Sequence, residues 1–248
     1  MPFKLHNFVG STPTIALVGG GPGDPSLLTV RALALLNNAS LVVVDRLISP
    51  EILSLISCEV KIANKAVGCA DEAQIEIYKW VKEAVDAGRN VVRLKIGDPF
   101  LFGRGGEEVL EFRKWGYEPI IVPGISSAYG APLAALIPLT HRGMSNQVLI
   151  STGYGQDSAT VDLPRFEPDR TLVLLMAVGR LPSITLQLQA LGYPPETPVA
   201  VVERASTPRQ RVLRACLDSI AAVAEQQQAV APATIIVGSV VDVLLQSY

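Results

Sequence analysis

The stretch Thr14-Ile15-Ala16-Leu17-Val18-Gly19-Gly20-Gly21-Pro22-Gly23-Asp24-Pro25 decides how the rest of the chain is read. Residues 14–18 are mostly apolar and partly β-branched, which suits a buried strand, and residues 26–37 read as the helix that follows. A strand that passes through glycines into a helix opens an α/β layer, and the turn can present backbone N–H groups to a ligand because no side chain blocks the approach. The dinucleotide fingerprint does not fit. G-x-G-x-x-G begun at Gly19 needs glycine where Asp24 stands, and begun at Gly21 it needs glycine at Ser26. A carboxylate there would sit poorly beside a pyrophosphate. Taken alone, the turn reads equally as a tight strand–helix connection capped by Asp24 or Ser26.

The same cycle recurs outward from this turn. Strands are expected at 41–44, 59–62, 90–94 and 117–122, with helices at 71–87 and 105–115. In the first helix Ala73, Ile77, Val81, Ala84 and Val85 recur at helical spacing before Gly88 stops it. Alternation of strand and helix with short connections predicts a parallel sheet covered by helices. Pro123-Gly124 then breaks the chain, and the organisation expected is a tail at 1–13, an N-terminal lobe at 14–123 and a C-terminal lobe at 124–248. The second lobe should carry strands at 148–152, 171–176, 199–203, 211–215 and 234–237, and helices at 126–136, 182–190 and 217–227. Thr207-Pro208-Arg209-Gln210 leaves no room for a crossover helix between two of these strands, so an antiparallel hairpin and a mixed sheet follow.

Composition narrows the function. Of 248 residues 49% are apolar and 18% charged, enough apolar material to offset the entropy of ordering a globule. Apolar runs such as 41–44, 120–122 and 235–237 fall far short of the roughly 20 residues of a spanning helix, so no membrane association is expected. The first dozen residues, with Lys4, His6 and Asn7, resemble neither a secretory nor a transit peptide, and a cytoplasmic location is the expectation. Cys58, Cys69 and Cys216 are odd in number, scattered and without nearby histidines, which argues against disulfides and against a metal site. A net charge of −2 gives no electrostatic case for nucleic acid but leaves an acidic small molecule open.

Three further segments carry the chemistry. Val44-Asp45-Arg46-Leu47 ends the second strand, where a bare Asp-Arg reads first as a structural ion pair. Asn64-Lys65-Ala66 follows the third strand, where a lone lysine is ordinarily a solvated group. The longest is Arg93-Leu94-Lys95-Ile96-Gly97-Asp98-Pro99-Phe100-Leu101-Phe102-Gly103-Arg104-Gly105-Gly106-Glu107-Glu108. It closely resembles the R-L-K-G-G-D-P-F-I-F-G-R-G-G-E-E signature of the uroporphyrinogen III methyltransferases within the tetrapyrrole methylases. The opening turn is similar to that family's G-x-G-P-G-D-P. Pro123-Gly124-Ile125-Ser126-Ser127-Ala128 resembles V-P-G-I-[TS]-[SA]-A, and Ile137-Pro138-Leu139-Thr140-His141-Arg142 resembles G-I-P-L-T-H-R.

The resemblance spans residues 14–241 and implies a two-lobed α/β tetrapyrrole methylase fold with the cofactor cleft between the lobes. It implies S-adenosyl-L-methionine as methyl donor, leaving as S-adenosyl-L-homocysteine, and methylation of uroporphyrinogen III at C2 and then C7, through precorrin-1 to precorrin-2. By the same resemblance Asp45 is the proton acceptor and Lys65 the proton donor, although Ala66 stands where the family has arginine. Cofactor contacts are implied at Pro22, Ile96, Gly97, Asp98, Leu101, Ser126, Ser127, Met176, Ala205 and Thr234, with Ile96 replacing a glycine. Eight substrate carboxylates call for guanidinium partners, for which Arg46, Arg104 and Arg142 are the candidates. A homodimer is implied by the family alone. A tetrapyrrole methylase with another acceptor, or a tetrapyrrole-binding protein without turnover, are the competing readings.

Overall fold

A computed structural model describes residues 13–63, 70–155 and 161–245. The chain forms two compact units, Met1–Ser126 and Ser127–Tyr248.

In the first unit the strands β1 (Ile15–Gly19), β2 (Leu41–Asp45), β3 (Glu59–Ala63), β4 (Val91–Lys95) and β5 (Ile120–Val122) pair in the order β3-β2-β4-β1-β5, all parallel. β1 and β4 are buried at every position, as strands covered on both faces must be. One face packs Ala16, Val18, Val42, Val44, Val92 and Leu94 against α1 (Val30–Asn37) and α2 (Pro50–Leu53). The other packs Ile15, Leu41, Val43 and Val91 against α3 (Ala70–Asp86) and α4 (Gly105–Lys114). The five α3 positions picked out by their spacing, from Ala73 to Val85, are all buried.

Three local differences from expectation have physical causes. The first helix is broken: a single 3₁₀ turn, Pro25–Leu27, is followed by extended Leu28 and Thr29, and Thr29 then caps α1 by accepting from Ala32 N at 3.1 Å. A short helix at Pro50–Leu53 went unread, although Ser49-Pro50 is an N-cap followed by proline at the first helical position. The fifth strand starts late because Gly116, at φ +87°, lets the Tyr117 N–H turn back to Phe112 O and close α4.

The second unit holds α5 (Ser127–Ala134), β6 (Gln147–Thr152), β7 (Arg170–Leu175), α6 (Leu181–Ala190), β8 (Pro198–Glu203), β9 (Arg211–Cys216), α7 (Ile220–Gln226) and β10 (Ala233–Val237). The sheet order is β6-β7-β10-β8-β9; only β6 and β7 are parallel, and β8–β9 is the expected hairpin with Glu203 opposite Arg211. Leu172, Leu174, Val199, Val201 and Ile235 pack beneath α6 and α7, while Ala200, Val202 and Ile236 meet α5. Two β9-side groups close the end of α5: Gln210 Nε2 donates to Ala134 O at 2.9 Å and Arg214 Nη2 to Ala135 O at 2.8 Å. Among the described residues no helix is long and apolar enough to cross a membrane.

The α3 face can be tested by a pair of truncations. Ile77→Ala, at a fully buried site, should cost about 2–5 kcal/mol in urea unfolding. Ile75→Ala, on the 69% exposed face, should stay within about 0.5 kcal/mol of the parent.

Candidate active site

The connections leaving β1 and β4 run to opposite faces of the first sheet, α1 on one and α4 on the other. The gap beyond the C-terminal ends of these neighbouring strands is therefore a topological switch point, where α/β sheets bind ligands. Here it is built from backbone. Gly20 N donates to Lys95 O at 2.7 Å, Gly21 N to Gly97 O at 3.2 Å and Gly97 N to Gly21 O at 2.8 Å. Gly124, just after β5, closes the group by donating its N–H to Asp98 Oδ2 at 3.2 Å, while Asp98 Oδ1 accepts from Phe100 N at 2.8 Å. A Cβ on Gly19 would lie 2.7 Å from Gly97 O, and one on Gly124 would lie 2.7 Å from the Gly19 carbonyl carbon. Ser49 fastens the Pro22 turn from below, its hydroxyl donating to Gly23 O at 2.6 Å.

Pro22, Ile96, Gly97, Asp98 and Leu101 therefore share one edge of the first unit, with Pro22 and Gly97 buried and the others half-buried. Asp45, at the end of β2, shares that edge, and Arg46 beside it is exposed. Arg104 starts α4 with a left-handed backbone, and its Nη2 donates to Glu107 Oε2 at 2.8 Å. Lys65 lies outside the described residues.

Behind Asp45 is a set of buried charges. Arg93 is wholly enclosed; its Nη2 donates to Asp45 Oδ1 at 2.7 Å, its Nε to Glu108 Oε1 at 3.3 Å and its Nη1 to Leu94 O at 3.0 Å. Lys95 Nζ donates to Glu108 Oε1 at 2.8 Å and stands 3.9 Å from Asp45 Oδ2. Gln74 Nε2 adds a third donor to Glu108 Oε1 at 3.1 Å. Burial opposes ionisation of Glu108, but Arg93 and Lys95 outweigh it and hold the carboxyl below its usual range. Burial likewise opposes the charge on Arg93, and Glu108 and Asp45 reverse it. For Lys95 burial prevails, with Arg93 adding to it, and the ammonium is lowered to about 8. Arg93, Lys95 and Glu108 had no role assigned from sequence, yet two charges in the otherwise apolar run Val91-Val92-Arg93-Leu94-Lys95 are themselves the signal of a buried ionic cluster.

In the second unit, Met176 follows β7, Ala205 follows β8 and Thr234 is the second residue of β10, so the register puts all three at one sheet edge. Ser127 joins them, its carbonyl accepting from Thr234 Oγ1 at 3.5 Å. Glu203 anchors the turn from inside: Oε1 accepts from Val230 N at 2.8 Å and Oε2 meets Arg211 Nη2 at 2.6 Å. Arg142 is not brought to this edge. It sits in the turn closed by His141 and Ser145, and Ser145 Oγ meets Thr171 Oγ1 at the opposite end of β7. Of the seven non-glycine residues at positive φ among those described, Phe102, Arg104, Met176, Arg204 and Ser206 belong to these candidate loops. Such backbone costs about 1–3 kcal/mol each and gathers where function requires it. Among the described residues no group of three or more His, Cys, Asp or Glu could hold a metal ion.

The family model for Tetrapyrrole (Corrin/Porphyrin) Methylases matches residues 14–221. The chain belongs to this family. Among curated relatives of this tetrapyrrole methylase, the probable uroporphyrinogen-III C-methyltransferase of Schizosaccharomyces pombe is 42% identical over 91% of the chain and 46% of the relative. The siroheme synthase of Hahella chejuensis is 44% identical over 94% of the chain and 50% of the relative. The chain thus spans about half the length of these two relatives. Among solved structures, uroporphyrin-III C-methyl transferase from Thermus thermophilus complexed with S-adenyl homocysteine superposes with a TM-score of 0.81 at 39% identity, covering 94% of this chain and 96% of that one.

Three substitutions test the site's construction. Gly124→Ala forces a side chain into backbone and should cost about 1–3 kcal/mol by thermal unfolding, whereas Gly106→Ala, with open space around it, should not destabilise the methylase. Glu108→Ala leaves Arg93 and Lys95 without their shared carboxylate and should cost about 3–5 kcal/mol in the same assay.

Proposed function

We propose that this tetrapyrrole methylase is an S-adenosyl-L-methionine-dependent C-methyltransferase that converts uroporphyrinogen III to precorrin-2 by methylation at C2 and C7. The observation that carries the reading is the likeness over nearly the whole chain to the Thermus enzyme complexed with S-adenyl homocysteine. The glycine turns of the first unit fit the donor, because at the switch point they can present backbone N–H and C=O groups with no side chain in the way. Pro22, Ile96, Gly97, Asp98, Leu101 and Ser126 are the proposed contacts in that unit, and Ser127, Met176, Ala205 and Thr234 those in the other.

When bound, the donor supplies an electrophilic methyl group for attack by an electron-rich pyrrole carbon. The protein's task is then to hold the two reactants in line and to remove the proton displaced from the acceptor. Asp45 is the proposed acceptor of that proton. Its Oδ1 is fixed by Arg93 at 2.7 Å, and the side chain remains 14% exposed at the sheet edge, so it can meet a ligand without swinging freely. Lys65 is the proposed proton donor, and Arg46 and Arg104 the proposed partners of substrate carboxylates. A homodimer located in the cytoplasm completes the reading.

Incubation with S-adenosyl-L-methionine and enzymatically made uroporphyrinogen III should generate the chromophore of precorrin-2 or of a trimethylated product. Cofactor uptake without any new absorbance would contradict the assignment. Asp45→Asn, which keeps an acceptor for Arg93, should bind S-adenosyl-L-homocysteine normally in calorimetry while turnover falls about 100-fold or more. Near-normal turnover would remove Asp45 from the mechanism.

A further inference from the structure

Lys95 is 3% exposed and Glu108 is fully buried, in a place where methionine or leucine could fill the same volume without desolvating charge. Both are tied to Asp45: Lys95 faces its Oδ2 directly, and Glu108 holds Lys95 and Arg93, the two cations that Asp45 shares. We propose that Lys95 and Glu108 are positioning residues that set the charge of Asp45, the ammonium favouring its carboxylate form and Glu108 moderating that pull. Asp45 is then ionised when substrate arrives, yet can take the proton that the methylated macrocycle loses to discharge the positive charge left on it, and pass that proton to water. This inference rests on the reading of Asp45 as the base.

Among the described residues, the groups facing the cluster are these. β2 supplies Asp45, β4 supplies Arg93 and Lys95, and α4 supplies Glu108. From α3 come the neutral Gln74 and the Tyr78 phenol, raised above its usual pKa first by burial and then by Glu108. On neighbouring β3, Lys61 is turned to the Trp80 ring, 5.5 Å away. Arg104 and Glu107, at the start of α4, pair with each other. Burial and the Arg93 charge bring Lys95 to about 8, so its own charge responds within an accessible pH range.

The test is the pH profile of kcat for methylation of uroporphyrinogen III, measured for the parent, Lys95→Met, Glu108→Gln and the double variant. A carboxyl ¹³C titration of Asp45 accompanies each. Removing a cation 3.9 Å from a carboxylate favours its protonated form, so Lys95→Met should move the acid limb upward by about one pH unit or more. Glu108→Gln keeps an acceptor oxygen for Lys95, Arg93 and Gln74 but removes an anion, and should move the limb downward. The double variant leaves Asp45 and Arg93 as a neutral pair, and its limb should return towards that of the parent. A merely structural role lowers kcat without displacing the limb in opposite directions, and that result overturns the proposal. Should Lys95→Met fail to fold, Glu108→Gln against the double variant makes the same comparison, with the higher limb expected in the latter. Asp45→Asn separates the two ideas. If it is active, the base assignment falls, and the ¹³C titrations alone decide whether Lys95 and Glu108 govern Asp45. If it is inactive and those titrations do not diverge, this proposal fails while the base assignment stands.

Discussion

Three turns of the first unit meet backbone to backbone: Gly19 and Gly124 are glycine because a Cβ at either would collide with backbone, and Gly97 has a φ of +65°, in the left-handed region that favours glycine. Each glycine adds about 0.5–1 kcal/mol to the entropy cost of folding relative to alanine, through the extra freedom of the unfolded chain. That loss is offset by hydrogen bonds that join the ends of β1 and β4 across the switch point. Asp98 binds the third turn to the other two, since one carboxylate receives N–H groups from both Phe100 and Gly124. The turns are consequently braced by the chain's own hydrogen bonds, and a ligand seated on them would meet a lower ordering cost.

The charge cluster works by a different principle. Among the described residues two cations and two anions share a largely buried site, and removing any member leaves the others to bear more of the cost of burial. Apolar packing could fill the same space with less penalty. What it could not do is fix the direction and charge of the one member, Asp45, that reaches the sheet edge. A comparable device operates in the second unit, where wholly buried Glu203 uses one oxygen on Arg211 and the other on Val230 N, bracing the turn that carries Ala205.

Much of this architecture was legible from residue order alone. The strands fall where apolar runs lie between glycine, proline and polar punctuation, and the antiparallel hairpin followed from a four-residue connection too short for a helix. Motif resemblance selected Pro22, Gly97, Asp98 and Asp45, which the fold gathers at one edge, and Met176, Ala205, Ser127 and Thr234, which it gathers at another. Less legible were features set by tertiary partners. The break at Leu28 and Thr29 depends on a threonine acting as a cap rather than as a helical residue. Two charges in the apolar run 91–95 signal that a buried ionic cluster exists, but its partners depend on β2, α3 and α4 converging, which no local pattern records. Arg142 was grouped with the other arginines by chemistry, and topology put it at the far end of its own sheet.

The outermost strand of the first sheet, β3, has a property separate from catalysis. Among the described residues no strand pairs with its outer side, and a sheet edge of that kind can template another chain. Glu59 and Lys61 alternate along it, with Glu59 held by Arg89 at 2.6 Å and Lys61 leaning on Trp80. An incoming strand would have to desolvate these fixed charges, so the same side chains that dress the rim also discourage fibrillar self-association.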